Sequence, residues 1–170
     1  EDRLNSALQL LRVLKVIDDT GRISEIGRRC LKWPLSTRLS YLMELGVELG
    51  QKYKIAPELA CRIAALLSEA RFLRAPGFIQ QNSECDLIEF FPLIQRNLNV
   101  KKIYQPLIDR LRERSSKSIG VEILTKNSLP RSAPEDTLIR YLIFRAHPDR
   151  IARLRKSSLS LANQMQASHL

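Results

Sequence analysis

The chain has 170 residues, 44% of them apolar, enough for one domain or two small ones with a real core. Lys and Arg number 28 against 18 Asp and Glu, and the net charge of +10 points to anionic partners, nucleic acid first. Three widely spaced cysteines, Cys30, Cys61 and Cys85, form no C-x-x-C pair; this argues against a disulfide framework or zinc site and fits a reducing, cytoplasmic setting.

The charge is uneven. Residues 101–170 hold 14 Lys/Arg and 6 Asp/Glu, so +8 of the +10 lies there and an anionic partner is sought in that part. A basic surface that serves only solubility fits the same count. No apolar run nears the roughly 20 residues that cross a bilayer. The chain opens on Glu1-Asp2-Arg3 in a helical pattern, with no signal-peptide pattern and no initiating methionine. A piece of a longer polypeptide is expected.

In chain order, Leu4, Ala7, Leu8, Leu11 and Leu14 recur at helical spacing and predict a helix over 3–16. Val16-Ile17, the cluster Asp18-Asp19-Thr20-Gly21 and Arg22-Ile23 predict a short hairpin or wing-like excursion. Ser24 is placed to cap a helix carrying Ile26, Cys30 and Leu31, which Pro34 stops. Ser36 or Thr37 caps a third helix with Leu39, Leu42, Met43, Leu45, Val47 and Leu49, and Gly50 suits its end. Pro57 opens a fourth, striped by Leu59, Ile63, Leu66 and Leu67.

Residues 71–83 are expected to loop around Pro76-Gly77. Asp86 opens a helix through Leu98, bent at Pro92. Residues 100–114 read as a basic amphipathic helix, followed by a polar stretch at Ser115–Ser118 and irregular chain to Pro134. A helix from Pro134 is expected to turn Leu138, Tyr141, Leu142 and Phe144 inward. After Pro148, Asp149 caps a last turn or two from Arg150 to Lys156, and Leu159 and Leu161 alternate as in a starting strand. The fold class is mainly α with one early hairpin.

No G-x-x-x-x-G-K-[ST] is present to cradle a triphosphate, no D-E-x-H stretch, and no G-x-S-x-G. His147 and His169 lack partners at metal spacing, and His147 reads as structural or surface. Trp33, before a proline, reads as a core or joint residue rather than a stacking platform. No catalytic, metal-binding or cofactor-binding residue is assigned.

Three segments carry a resemblance. The first joins Leu10–Asp18, Gly21–Arg28 and Trp33-Pro34-Leu35-Ser36-Thr37-Arg38-Leu39. It resembles a leucine helix, an "L-D-x-x-G-x-L-T-x-x-G" turn and an "L-P-L-x-P-R-L" link, with Thr37 where that link usually has proline. The second is Ile63-Ala64-Ala65-Leu66-Leu67-Ser68-Glu69, close to "A-A-L-L-S-E". The third and most specific is Ala146-His147-Pro148-Asp149-Arg150-Ile151-Ala152-Arg153-Leu154-Arg155, close to "A-Y-P-D-R-I-A-x-x-R". In this order they are similar to the region after the motor in HrpB-type DEAH-box ATP-dependent RNA helicases. The chain departs from that pattern at Leu161-Ala162-Asn163-Gln164-Met165-Gln166-Ala167, where the family shows "L-A-N-G-R-G-A".

The resemblance implies two RecA-like motor lobes in the same polypeptide, and ATP and magnesium held there and not by this chain. It implies the end of a winged helix at 1–35, a helical ratchet-like bundle at 36–133, and a basic helix entering a small β-rich C-terminal region at 134–170. The implied role is to close the channel around single-stranded RNA, possibly DNA, while the parent enzyme hydrolyses ATP. Arg150, Arg153, Arg155 and Lys156 are the candidate nucleic-acid contacts. On a helix, Arg150, Arg153 and Lys156 would form one short row. Alternatively Asp149 caps that helix and Arg150 pairs with a carboxylate elsewhere. Lys101, Lys102, Arg110 and Arg114 form a second basic set, more simply a solvated helix face. Two other functions stay open: a stand-alone basic winged-helix or helical nucleic-acid-binding protein without a motor, and a helical interaction scaffold.

Overall fold

A computed structural model describes residues 2–69, 87, 90–115 and 134–150, and, as backbone, 152–155 and 158–161. The loop expected at 71–83, Cys85, the helix start at Asp86, the stretch 116–133, Lys156, the segment 162–167 and His169 lie outside the described residues, as does the side chain of Arg114. The described part is mainly helical: α1 (Asp2–Val13), α2 (Glu25–Cys30), α3 (Thr37–Leu49), α4 (Ala56–Ser68), α5 (Leu93–Arg96), α6 (Leu98–Ser115) and α7 (Glu135–Ala146). A 3-10 turn at Pro148–Arg150 leads into strands β1 (Ala152–Arg155) and β2 (Ser158–Leu161). No helix among these residues is long and apolar enough to cross a membrane.

α1 ends three residues before the sequence pattern does. Lys15 takes a left-handed conformation (φ 55°). The amides of Lys15 and Val16 bond back to the carbonyls of Arg12 (2.8 Å) and Leu11 (2.9 Å). That is a Schellman stop with lysine in the place glycine usually takes. Ser24 fastens it, donating its hydroxyl to the Lys15 carbonyl at 2.6 Å while accepting from the Gly27 amide at 3.0 Å as the N-cap of α2. Between them the chain turns at Gly21 (φ +84°) and closes with an isolated antiparallel bridge, Ile17 to Ile23. The expected excursion is therefore one bridge wide. No residue of α1 is buried, and Leu4 is 64% exposed.

The core is built around α3. It packs on α4 along most of its length and on α2 and α7 at its sides, while α4 also contacts α5, α6 and α7. Leu42, Met43, Leu45, Leu49, Leu59, Ile63, Leu107, Leu138, Ile139 and Leu142 are buried from these helices. Gly46 sets the α3–α4 distance: a Cβ there would lie 2.4 Å from the Ala60 Cβ and 3.1 Å from the Ala56 carbonyl oxygen. Gly50 closes α3 with a right-handed φ of −58°, so it is not the left-handed cap that its position suggested.

Two expectations about the second half change. The helix expected to bend at Pro92 instead breaks: Phe91-Pro92 is a turn, Leu93–Arg96 makes one helical turn, and Asn97 starts a new helix. The Asn97 side chain accepts from the amides of Asn99 (2.9 Å) and Val100 (3.2 Å), a cap that a proline-centred pattern hides. On α7, Leu138, Ile139 and Leu142 are buried, whereas Phe144 is 54% exposed and not inward. Phe144 lies two residues, about 200° around the helix, from Leu142 and so leaves the buried face.

Glu44 of α3 is the one buried carboxylate among the described residues. It accepts from Trp33 Nε1 at 2.6 Å and lies 3.4 Å from Arg29 Nε. Trp33 is thus the joint residue that its place before Pro34 predicted, tied by its ring nitrogen to the middle of α3.

Two outcomes follow. Glu44→Ala leaves the Arg29 guanidinium buried without its counter-charge, and urea unfolding is expected to show a loss of about 3–5 kcal/mol. Gly46→Ala is expected to lower the urea midpoint through a loss of about 1–3 kcal/mol, because backbone of α4 stands beside the added methyl.

Candidate nucleic-acid interface

The third motif segment forms the end of α7, the 3-10 turn and β1. Asp149 does not cap a helix. The backbone turns at Pro148–Arg150 and then extends, so Arg153 and Arg155 lie on a strand and the helical row expected for Arg150, Arg153 and Lys156 does not exist. The period-2 alternation Arg153-Leu154-Arg155, continued by Ser158-Leu159-Ser160-Leu161, accounts for the strand.

β1 and β2 pair antiparallel, with Arg153 opposite Ser160, Arg155 opposite Ser158, Leu154 opposite Leu159 and Ala152 opposite Leu161. Directly opposed residues share a face and neighbours along a strand alternate. The register therefore puts Arg153, Arg155, Ser158 and Ser160 on one face of the hairpin and Ala152, Leu154, Leu159 and Leu161 on the other. Arg150, at the entrance, is exposed; its Nε lies 4.0 Å from Asp149 Oδ2. Of the four candidates, Arg153 and Arg155 share one face, Arg150 stands at the hairpin's foot, and Lys156 lies outside the described residues.

The second basic set does not gather. Lys101 and Arg110 are nine residues, two and a half turns, apart and so stand on opposite sides of α6. Arg110 donates to the Lys32 carbonyl in the turn after α2 and ties α6 to that turn.

Two residues that composition did not single out hold the hairpin's entrance. Arg38, in the first turn of α3, bonds Asp149 through both nitrogens, Nη1 to Oδ1 at 2.5 Å and Nη2 to Oδ2 at 2.7 Å. Its Nη1 also reaches the Ala146 carbonyl at 3.4 Å, one of the carbonyls that the end of α7 leaves open. One guanidinium thus fixes both ends of the turn 146–149. The signal was present in sequence, since Arg38 lies in the first motif segment and Asp149 in the third. Their 111-residue separation hid the pairing. Ser6, Ala7, Gln9, Leu10 and Val13 of α1 line a cleft of about 310 Å³ with Arg38 and Asp149.

The Arg38 hydrogen bond holds the Asp149 carboxyl below its ordinary range, against a smaller opposing effect of burial. Burial lowers His147, whose Nδ1 lies 3.3 Å from the Ile143 carbonyl. Burial pushes the Cys61 thiol up to about 12, so it stays a neutral packing group. Among the described residues no group of three or more His, Cys, Asp or Glu could hold a metal ion.

The chain matches no protein-family model and no curated protein. Two solved structures do match it in fold. The crystal structure of the E. coli DExH-box NTPase HrpB aligns with a TM-score of 0.56 and 23% identity, covering 95% of this chain and 16% of that one. The crystal structure of the Escherichia coli DEAH/RHA helicase HrpB aligns with a TM-score of 0.57 and 26% identity, over 96% of this chain and 17% of that one. Both neighbours are HrpB. This chain is similar over nearly all its length to a segment of HrpB, and spans about one sixth of the HrpB chains it matches.

The shift at Asp149 carries a pH dependence. Its folded pKa lies below the unfolded one, so its stabilisation is present above the ordinary aspartate value of 3.8 and is lost as pH falls through the lower folded value. Asp149→Asn is expected to flatten the acid limb of the thermal midpoint measured against pH. The carboxylate is 32% exposed, and solvent screening keeps the effect to about 1 kcal/mol or less.

Proposed function

We propose that this chain is an accessory region of an ATP-dependent RNA helicase of the HrpB type, bracing a motor and contacting single-stranded RNA. The observation that carries the proposal is the fold likeness to HrpB over 95% or more of the chain. The cationic face of the hairpin supports it. Single strands are followed by positive surfaces that neutralise phosphates, and Arg150, Arg153 and Arg155 supply three guanidinium groups on one short segment.

On this proposal residues 1–35 are the end of a winged helix, 36–133 a ratchet-like bundle, and 134–170 the entry to a β-rich C-terminal region. The partners are the RecA-like lobes of the same polypeptide and single-stranded RNA. ATP and magnesium belong to those lobes, because this sequence offers no loop of the type that cradles a triphosphate. The chain's own contribution is to hold the strand while the lobes move, with no chemical step of its own.

The test is binding of a fluorescent single-stranded oligouridylate at several salt concentrations. Affinity is expected to fall as salt rises, and replacing Arg150, Arg153 and Arg155 together with Gln is expected to reduce the slope of log affinity against log salt by about 2. A slope near zero for the unaltered chain excludes phosphate contact and returns the chain to an interaction scaffold.

A further inference from the structure

The bundle and the hairpin meet at the turn 146–150, where one side chain does most of the fixing. Arg38 is 20% exposed and Asp149 32%, so water competes only partly for their bonds. The paired geometry fits two guanidinium N–H groups to two carboxylate oxygens, which sets direction as well as distance. The further bond to the Ala146 carbonyl ties the end of α7 to the same group. Arg38 itself is anchored by α3, whose body is buried against α4. The next residue after the clasp, Arg150, is 76% exposed, and β1 begins two residues later.

We infer that the Arg38–Asp149 clasp sets the strength with which the basic hairpin holds a single strand, by fixing the direction in which the hairpin leaves the bundle. This rests on the single-strand contact proposed above and extends it to two residues that do not themselves meet phosphate. Arg38 is held by a carboxylate and a carbonyl, and Asp149 carries the wrong charge for a phosphate. Both are positioning residues. Without the clasp, the turn 146–150 and the strand that follows it sample more orientations relative to α3 and α7. A ligand that spans hairpin and bundle must then order them on binding, and the affinity falls.

Charge and position predict opposite signs at Asp149. Removing a negative charge beside Arg150 strengthens attraction to an anion if electrostatics alone operates. Removing the clasp weakens binding if position matters. The full 170-residue chain and its Asp149→Asn variant are compared for binding to the fluorescent oligouridylate, with far-ultraviolet circular dichroism to confirm the fold. Asp149→Asn is expected to bind about three- to ten-fold more weakly, with the salt slope unchanged because the phosphate contacts are the same in number. Arg38→Lys keeps the charge but cannot make the paired bonds, and is expected to weaken binding to a similar degree. It decides the matter by the same criterion should Asp149→Asn fail to fold. Equal or tighter binding by the folded variant overturns the clasp's role and leaves the single-strand contact standing. Absence of salt-dependent binding by the unaltered chain is a different result and removes the contact itself.

Discussion

A carboxylate buried in the middle of a helix organises the N-terminal half of this protein. Glu44 is 2% exposed, and taking an ionised group that far from water is tolerable only with close partners. Trp33 supplies a directed hydrogen bond and Arg29 a counter-charge. The Arg29 contact is one of charge more than of geometry, since its Nε and Nη2 make no well-formed hydrogen bond among the described residues. Each partner comes from the segment just before α3, so satisfying Glu44 fixes how that segment lies across the helix. A slipped register would leave both charges buried and apart.

α3 then serves two ends of the chain. Its middle receives α2 and the Trp33-Pro34 link, and its first turn receives the end of α7 through Arg38. Residues more than a hundred positions apart are held by side chains six residues apart on one helix, Arg38 and Glu44. The three motif segments meet here in space: the first contributes Trp33 and Arg38, the second is the C-terminal half of α4 packed on α3, and the third contributes Ala146 and Asp149.

The helices were legible because burial leaves a periodic trace. The stripes on α3 and α4, the Ser24 cap and the Pro57 start all follow from local rules. Less legible were features that depend on distant partners. Asp149 looks like a helix cap from its neighbours alone, and its real partner lies in another motif. Arg153 and Arg155 were expected on a helix and lie on a strand: a four-residue strand is too short for alternation to outweigh an apparent cap. Lys15 in a left-handed stop was missed because glycine marks such positions most often, and Asn97 as a cap because one helix was expected to run from Asp86 through Leu98. Arg110 looked like a basic residue on a solvated face and in fact bonds the turn after α2.

The close approach at Gly46 limits how the bundle can move. Two helices whose contact leaves no room for a methyl group are interlocked there, and sliding one along the other would drive Ala60 into the α3 backbone. Shear between α3 and α4 is therefore closed off, and what remains is hinge rotation at the ends of the pair. The short link through Pro34 and the clasped turn before the hairpin both adjoin the first turn of α3. A displacement applied at that end of α3 is therefore handed to α4 without slippage between the two helices.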